Sequence, residues 1–253
     1  KKNQLIILRS TVYPGTSDWL FKYLSKKKKC DVAFCHERVI QGYTFDEIEK
    51  LPQIIAANSK KAEKRATKIF RKISKKIVYS SLKEAEFSKL FSNAFRYTQF
   101  AVANEFYMLA DKAGLDFNKI RKITKDGYPR AESMPSAGFA AGPCLLKDTM
   151  QLLSFSRNNF SMGNSSMLVN EGLVLYLIDK LEKKYNLKTK KVGLLGMAFK
   201  AESDDTRSSL SYKMKKFLST KVKKIICTDP FVKSDKNLST LENTIKESDI
   251  LIL

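Results

Sequence analysis

SLKEAEFSKLFSNAFRYTQFAVANEFYMLADKA, residues 81–113, contains neither proline nor glycine and reads as one helix. Ser81 and Glu84 have the spacing of a reciprocal cap, in which each side chain takes a free backbone donor of the first turn. Gly114 stops the pattern. At about 1.5 Å per residue the rod is roughly 45–50 Å long. Phe87, Leu90, Phe91, Phe95, Phe100, Val102 and Phe106 leave it apolar on most sides, so burial on more than one face is expected. Such a helix is suited to packing two subunits together. It also divides the chain, because the pattern differs on either side of it.

Upstream, short apolar runs alternate with helical ones. Residues 4–9, DVAFC, PQIIAA and KIVYS read as strands, with helices through Leu24 and over 60–74. That alternation predicts a parallel sheet with helices on its faces, the second half of a doubly wound α/β domain. Ligands of such sheets sit at the carboxyl ends of strands, where Thr11 and Glu37 stand. Downstream, helices are expected over 116–126, 149–157 and 164–185. From Lys190 the pattern returns to strand, glycine turn and helix, in KVGLLGMAFK, KKIICTDP and DILIL. Three parts follow: α/β over 1–80, all helical over 81–188, and a second α/β unit over 189–253. Gly193 and Gly196 form GxxG, short of the GxGxxG dinucleotide fingerprint, which this chain does not contain.

Composition narrows the chemistry. The formal net charge of +21 raises nucleic acid as a partner, but the lysines are scattered over helix faces and no nucleic-acid motif accompanies them. No apolar run reaches the length of a membrane span. Neither nucleic acid nor membrane is therefore expected as a partner. The four cysteines have no zinc spacing, and a reducing cytoplasm is the simplest setting. The single histidine, His36, excludes a multi-histidine metal site, and no metal is expected.

DGYPRAESMPSAGFAAGPCLLKD, residues 126–148, is dense in small residues and prolines, so it reads as a loop wrapped around a ligand with a thiol, Cys144, at its end. Asp148 is placed to cap the helix that follows. Read blandly, this is a surface loop with an inert cysteine. Lys89 and Asn93 share one face of the long helix, four residues apart. Either they form its exposed strip, or they stabilise an oxyanion formed beside a cysteine. Lys147 or Lys89 would then supply the cation that a thiolate needs.

Several segments together resemble the UDP-glucose and UDP-N-acetylmannosamine 6-dehydrogenases, the nucleotide-sugar dehydrogenases. They are RSTVYPGT, ERVIQG with LPQIIAA, EAEFSKLFSNAFR with the following NE, GFAAGPCLLKD and LLGMAFKAESDDTR. Their order and spacing cover nearly the whole chain. The resemblance implies an NAD-binding Rossmann-like part over 1–80, a helical dimer-forming part over 81–188 and a UDP-binding Rossmann-like part over 189–253. It also implies a fragment, without the amino-terminal half of the first domain or the end of the third.

Such enzymes oxidise a sugar CH2OH to a carboxylate, reducing two NAD. By resemblance Cys144 is the nucleophile that becomes a thioester, Lys89 and Asn93 hold the alkoxide, and Glu37 is the general base. Thr11 and Asp148 position water or the lysine. Gly138, Phe139, Ala140, Ala141 and Gly142 line the sugar diphosphate, with Arg130 and Lys200 as further substrate contacts. Thr11, Lys147 and Arg207 would face the cofactor. The implied partners are a UDP-sugar and a second copy bound through the central helix.

The chain departs from the family in places. His36 replaces the usual proline before the glutamate, Gln41 replaces a second glutamate found in some members, and AAGPC stands where glycine pairs are usual. CLLKD resembles the UDP-glucose branch and ERVIQG the N-acetyl branch, so the sugar stays open. The missing cofactor half leaves a non-catalytic nucleotide-sugar-binding subunit as the alternative.

Overall fold

The structure is a computed structural model that describes residues 3–26, 30–39 and 42–253. It has two compact units, residues 1–94 with 151–159, and 95–150 with 160–253.

In the first unit β1 (Leu5–Leu8), α1 (Thr16–Ser25), β2 (Asp31–Phe34), α2 (Thr44–Ile48), β3 (Gln53–Ala57), α3 (Lys60–Phe70) and β4 (Ile77–Ser80) follow in order. The sheet order is β1-β2-β3-β4. The first and last pairs are parallel as expected, but β2 and β3 run antiparallel, with Ala33 opposite Ala57 and Phe34 opposite Ala56. A parallel return needs a crossover of a dozen or more residues, usually built on a helix. The link from Cys35 to Pro52 is long enough for a crossover, but among its described residues the only helix is the five-residue α2, too short to lie across the sheet, and β3 returns antiparallel to β2.

Alternation along β2 sends Ala33 and Cys35 to one face, with Ile55, Ala66 and Phe70, and Phe34 to the other, with Ala56, Leu82 and Ala85. Both faces are covered, and the wholly buried Phe34 contributes about 1.5–3 kcal/mol relative to an exposed ring. Ser59 caps α3 by accepting from the Ala62 amide at 3.1 Å. Ala62, Ala66 and Phe70 then turn inward, leaving the lysines outside.

The long helix is α4 (Leu82–Lys112), and its cap is the expected one. Ser81 N donates to Glu84 Oε2 at 2.9 Å, and Glu84 N donates to Ser81 Oγ at 3.3 Å. At the far end Gly114 takes φ 71°, and Leu115 N reaches back to Ala110 O at 2.8 Å, closing the last turn. Burial on several faces is only partly observed. Leu90, Tyr97 and Ala103 are buried, whereas Phe91, Phe95, Val102, Phe106 and Leu109 stand exposed.

The second unit continues through α5 (Phe117–Lys125), a short 3-10 turn (Pro129–Ala131), α6 (Leu145–Phe155, its last turns in the first unit) and α7 (Ser161–Lys184). Then come β5 (Lys191–Leu195), α8 (Leu210–Leu218), β6 (Lys224–Thr228), α9 (Leu241–Glu247) and β7 (Ile250–Ile252). Their sheet, β6-β5-β7, is wholly parallel. Val174, Ile178, Val192, Leu194, Met214 and Leu218 form its core between α7, α8 and the sheet. Helix α6 starts at Leu145, earlier than the sequence suggests, because Pro143 sits just outside it. Asp148 therefore lies in the first turn rather than at the cap, and its amide donates to Cys144 O at 2.9 Å.

Candidate functional site

The candidate residues fall into two sets. Thr11, Glu37, Lys89 and Asn93 belong to the first unit. Arg130, Gly138–Gly142, Cys144, Lys147, Asp148, Lys200 and Arg207 belong to the second. Gln41 lies outside the described residues.

In the first unit β1 and β2 end side by side, which brings Arg9 and Glu37 together. Arg9 Nη2 pairs with Glu37 Oε2. Its Nη1 donates to Cys35 O at 3.1 Å and to Gln53 Oε1 at 2.9 Å. Glu37 Oε1 accepts from the amides of Arg38 (2.8 Å) and Val39 (3.1 Å). The carboxylate is thus fixed in direction. Thr11 follows β1 in a half-buried turn.

His36, next to Glu37, is 2% exposed, and neither ring nitrogen has a hydrogen-bond partner among the described residues. Burial pushes its pKa down to about 3, and the nearby charges of Lys89, Arg38 and Arg9 push the same way. The only histidine is therefore a neutral core ring packed on Phe34, not a base.

Lys89 is half-buried and Asn93 is buried on the same side of α4. One turn earlier stands Glu86, 1% exposed, which sequence reasoning missed. Its Oε2 accepts from Gly15 N at 2.6 Å and its Oε1 from Ser17 N at 2.7 Å, so it caps α1 from outside. The signal was available: Glu86, Lys89 and Asn93 form a polar stripe on a helix that is otherwise apolar there.

In the second unit the glycine-rich loop is fastened at both ends. Gly138 N donates to Asn104 Oδ1 at 2.8 Å, and Asn104 Nδ2 donates back to Gly138 O at 3.0 Å. Gly142 takes φ 98° and donates to Ser208 O at 3.3 Å. A Cβ at Gly142 would stand 2.6 Å from the Phe199 ring, so only glycine fits. Ala140 is buried, and Phe139 and Ala141 pack against the core of this unit.

Cys144 follows as an exposed thiol, the only exposed one of the four cysteines. It sits at the amino end of α6, where the helix dipole favours negative charge. Cys30, Cys35 and Cys227 are buried, and burial pushes the Cys35 thiol up to about 12. Lys147 Nζ pairs with the fully buried Asp148 at 2.7 Å, so its charge is shared with that carboxylate. Arg207 is gripped by Asp205 through Nε at 2.9 Å and Nη2 at 2.6 Å. Arg130 lies on the surface, donating to Tyr128 Oη at 2.8 Å. Lys200 is half-buried in the turn after β5.

That turn is organised by Asp229, at the carboxyl end of β6. Its Oδ2 accepts from Met197 N (2.7 Å) and Ala198 N (3.0 Å), and its Oδ1 from Phe231 N (2.8 Å) and Val232 N (3.1 Å). Burial alone would raise its pKa, but the four amides hold it below the usual carboxylate range. Among the described residues no group of three or more His, Cys, Asp or Glu could hold a metal ion. None of the described helices is long and apolar enough to cross a membrane.

Comparison with known proteins identifies the parts. Three models of the UDP-glucose/GDP-mannose dehydrogenase family match in series: the NAD binding domain over 1–74, the central domain over 83–171 and the UDP binding domain over 193–253. The chain is 28% identical to the UDP-N-acetyl-D-mannosamine dehydrogenase of Methanocaldococcus jannaschii, over all of this chain and 59% of that protein. It is 30% identical to that of Pyrococcus horikoshii, over all of this chain and 62% of that protein. The chain thus spans about 60% of the length of these relatives. The solved UDP-D-ManNAc dehydrogenase of Pyrococcus horikoshii superimposes with a TM-score of 0.88 at 30% identity, covering 98% of this chain and 61% of that one. A UDP-glucose dehydrogenase from Pyrobaculum islandicum shares the fold at 22% identity, with a TM-score of 0.89 over 99% of this chain and 63% of that one.

Residues 1–74, which match the NAD binding domain model, offer a poor fit to a dinucleotide's phosphates. The sheet ends carry Thr11, but the amino-terminal amides of α1 that would attract a pyrophosphate are already taken by Glu86. The sequence holds no GxGxxG turn.

Proposed function

The chain belongs to the UDP-glucose/GDP-mannose dehydrogenase family, and from that premise we propose that it carries the substrate half of an NAD-dependent UDP-hexose 6-dehydrogenase with Cys144 as covalent nucleophile. The observation that carries this reading is the placement of Cys144. It is an exposed thiol at a helix amino terminus, following a loop pinned at both ends, while the other three cysteines are buried.

NAD, when bound, would supply the hydride acceptor for the two oxidations. The chain's own residues supply the rest. After the first oxidation the Cys144 sulfur adds to the aldehyde carbon, giving a thiohemiacetal whose oxygen is held by Lys89 and Asn93. Loss of the second hydride leaves a thioester, and water cleaves it to the uronic acid and the free thiol. Glu37, aimed by Arg9 and two amides, serves that hydrolysis together with Thr11 and Asp148. Backbone amides of the 138–142 loop take the diphosphate, assisted by Arg130 and Lys200. Lys147 and Arg207 face the cofactor.

We place UDP-N-acetylmannosamine first among the sugars, because the relatives that cover this whole chain carry that name. We also assign the exposed row Phe91, Phe95, Val102, Phe106 and Leu109 on α4 to a homodimer contact.

The test is acid formation from UDP-N-acetylmannosamine with NAD by the full-length enzyme and its Cys144→Ala variant. Loss of the acid in the variant, with Cys30→Ala and Cys227→Ala active, is expected. Near-normal acid from Cys144→Ala would sink the covalent mechanism.

A further inference from the structure

We propose that Asn104, braced by Asn170, is a positioning residue that fixes the Gly138 peptide and so keeps the 138–142 loop preformed for the diphosphate of a nucleotide-sugar. The inference rests on the reading of that loop as the substrate cradle. Both asparagines are wholly buried, Asn104 on α4 and Asn170 on α7. A buried amide side chain is costly unless its donors and acceptor are matched. Here they are. Asn104 Oδ1 accepts from Gly138 N at 2.8 Å, and Nδ2 donates to Gly138 O at 3.0 Å and to Asn170 Oδ1 at 2.9 Å. Asn170 Nδ2 in turn donates to Tyr97 O at 3.0 Å, which ties the chain of amides back to the body of α4.

The residue type follows from this pattern. A primary amide offers an acceptor and two donors, so it meets both edges of the Gly138 peptide and still reaches its brace. Aspartate has no N–H to give to Gly138 O, and leucine leaves both peptide groups unmet. At the other end Ser208 O and the Phe199 ring hold Gly142. Gly138 N and O and Gly142 N are therefore taken. Among the described residues the amides of Phe139, Ala140 and Ala141 are engaged in no hydrogen bond. With both ends of the loop held, its backbone is preformed, and pinning removes much of the ordering cost of binding.

The experiment compares wild type, Asn104→Ala and Ser166→Ala in the full-length enzyme. Ser166 is a useful control because its hydroxyl also links α7 to α4, donating to Thr98 Oγ1 at 3.1 Å away from the loop. Three readouts are taken: hydrogen exchange over 138–142, titration with UDP, and the KM values for UDP-N-acetylmannosamine and NAD. Asn104→Ala is expected to speed exchange in the loop and weaken UDP about tenfold, with the sugar-nucleotide KM rising alike and the KM for NAD within about twofold. Ser166→Ala is expected to lower the melting temperature while leaving loop exchange and UDP affinity unchanged. Should Asn104→Ala not fold, Asn170→Ser leaves both Gly138 bonds and removes only their brace; it is expected to raise loop exchange and UDP dissociation about threefold. Unchanged loop exchange, or UDP affinity within twofold of wild type, in the folded variant overturns the proposal. A wild-type enzyme that binds neither UDP nor the UDP-sugar removes the functional reading instead, and the exchange measurement then decides the role of Asn104 alone.

Discussion

Arg9 and Glu37 close the carboxyl ends of two neighbouring parallel strands, β1 and β2, with one ion pair, and Glu37 N also donates to Arg9 O at 3.2 Å. Both side chains are about a third exposed, so the pair alone contributes on the order of 1 kcal/mol or less. Its main effect is to aim the carboxylate. Glu37→Gln is therefore expected to cost little stability and to slow thioester hydrolysis, so that an acyl adduct accumulates on Cys144. Intact-mass spectrometry during turnover detects it. No adduct, with turnover unchanged, removes Glu37 from the mechanism.

His36 gives a pH signature. Its pKa falls from 6.5 when unfolded to about 3 when folded, so the unfolded chain takes up a proton that the folded chain refuses. Stability is expected to decline as pH drops from about 6.5 toward about 3 on this account, and to be insensitive to His36 above that window. His36→Phe should flatten the decline, as measured by urea midpoints from pH 4 to 8. A pH–rate limb near 6.5 that disappears in His36→Phe would contradict a neutral, buried ring.

Gly142→Ala is expected to cost about 1–3 kcal/mol, from a left-handed backbone and a methyl driven into Phe199. Phe199→Leu added to it should relieve the second contribution but not the first, so the double variant recovers only in part. Full recovery in thermal melts would mean the backbone at φ 98° carries no strain.

Cys144 should be the one thiol that native protein offers to iodoacetamide. Peptide mapping is expected to find Cys144 labelled at least tenfold faster than Cys30, Cys35 or Cys227, which lie in the cores of their units. Comparable labelling of Cys35 would mean that the β2 core opens readily.

Much of the fold was legible because local signals agreed. The box at Ser81 and Glu84, the unbroken pattern to Lys112 and the stop at Gly114 each rest on neighbours in sequence. The antiparallel β2–β3 pair was not legible, since strand direction depends on how residues 35–52 return, and that stretch has no strong period. Cys144 could be found from its small-residue surroundings. Asn104 and Asn170 could not be ranked, because a polar residue on a helix reads the same whether it meets water or a peptide group across the core. Asp148 was misplaced by one turn because Pro143 marks the boundary of α6 more strongly than an aspartate does.

The clamp at Asp229 has a consequence for cofactor choice. In a strand–turn–helix–strand unit of this shape, an acid near the end of the second strand is the usual reader of an adenosine ribose. A carboxylate offers about four acceptor sites, and here four backbone amides fill them. A ribose diol arriving at the end of β6 finds no acceptor to bind. The second α/β unit thus keeps the outline of a dinucleotide reader while the carboxylate that would discriminate is committed to the backbone of its own turn.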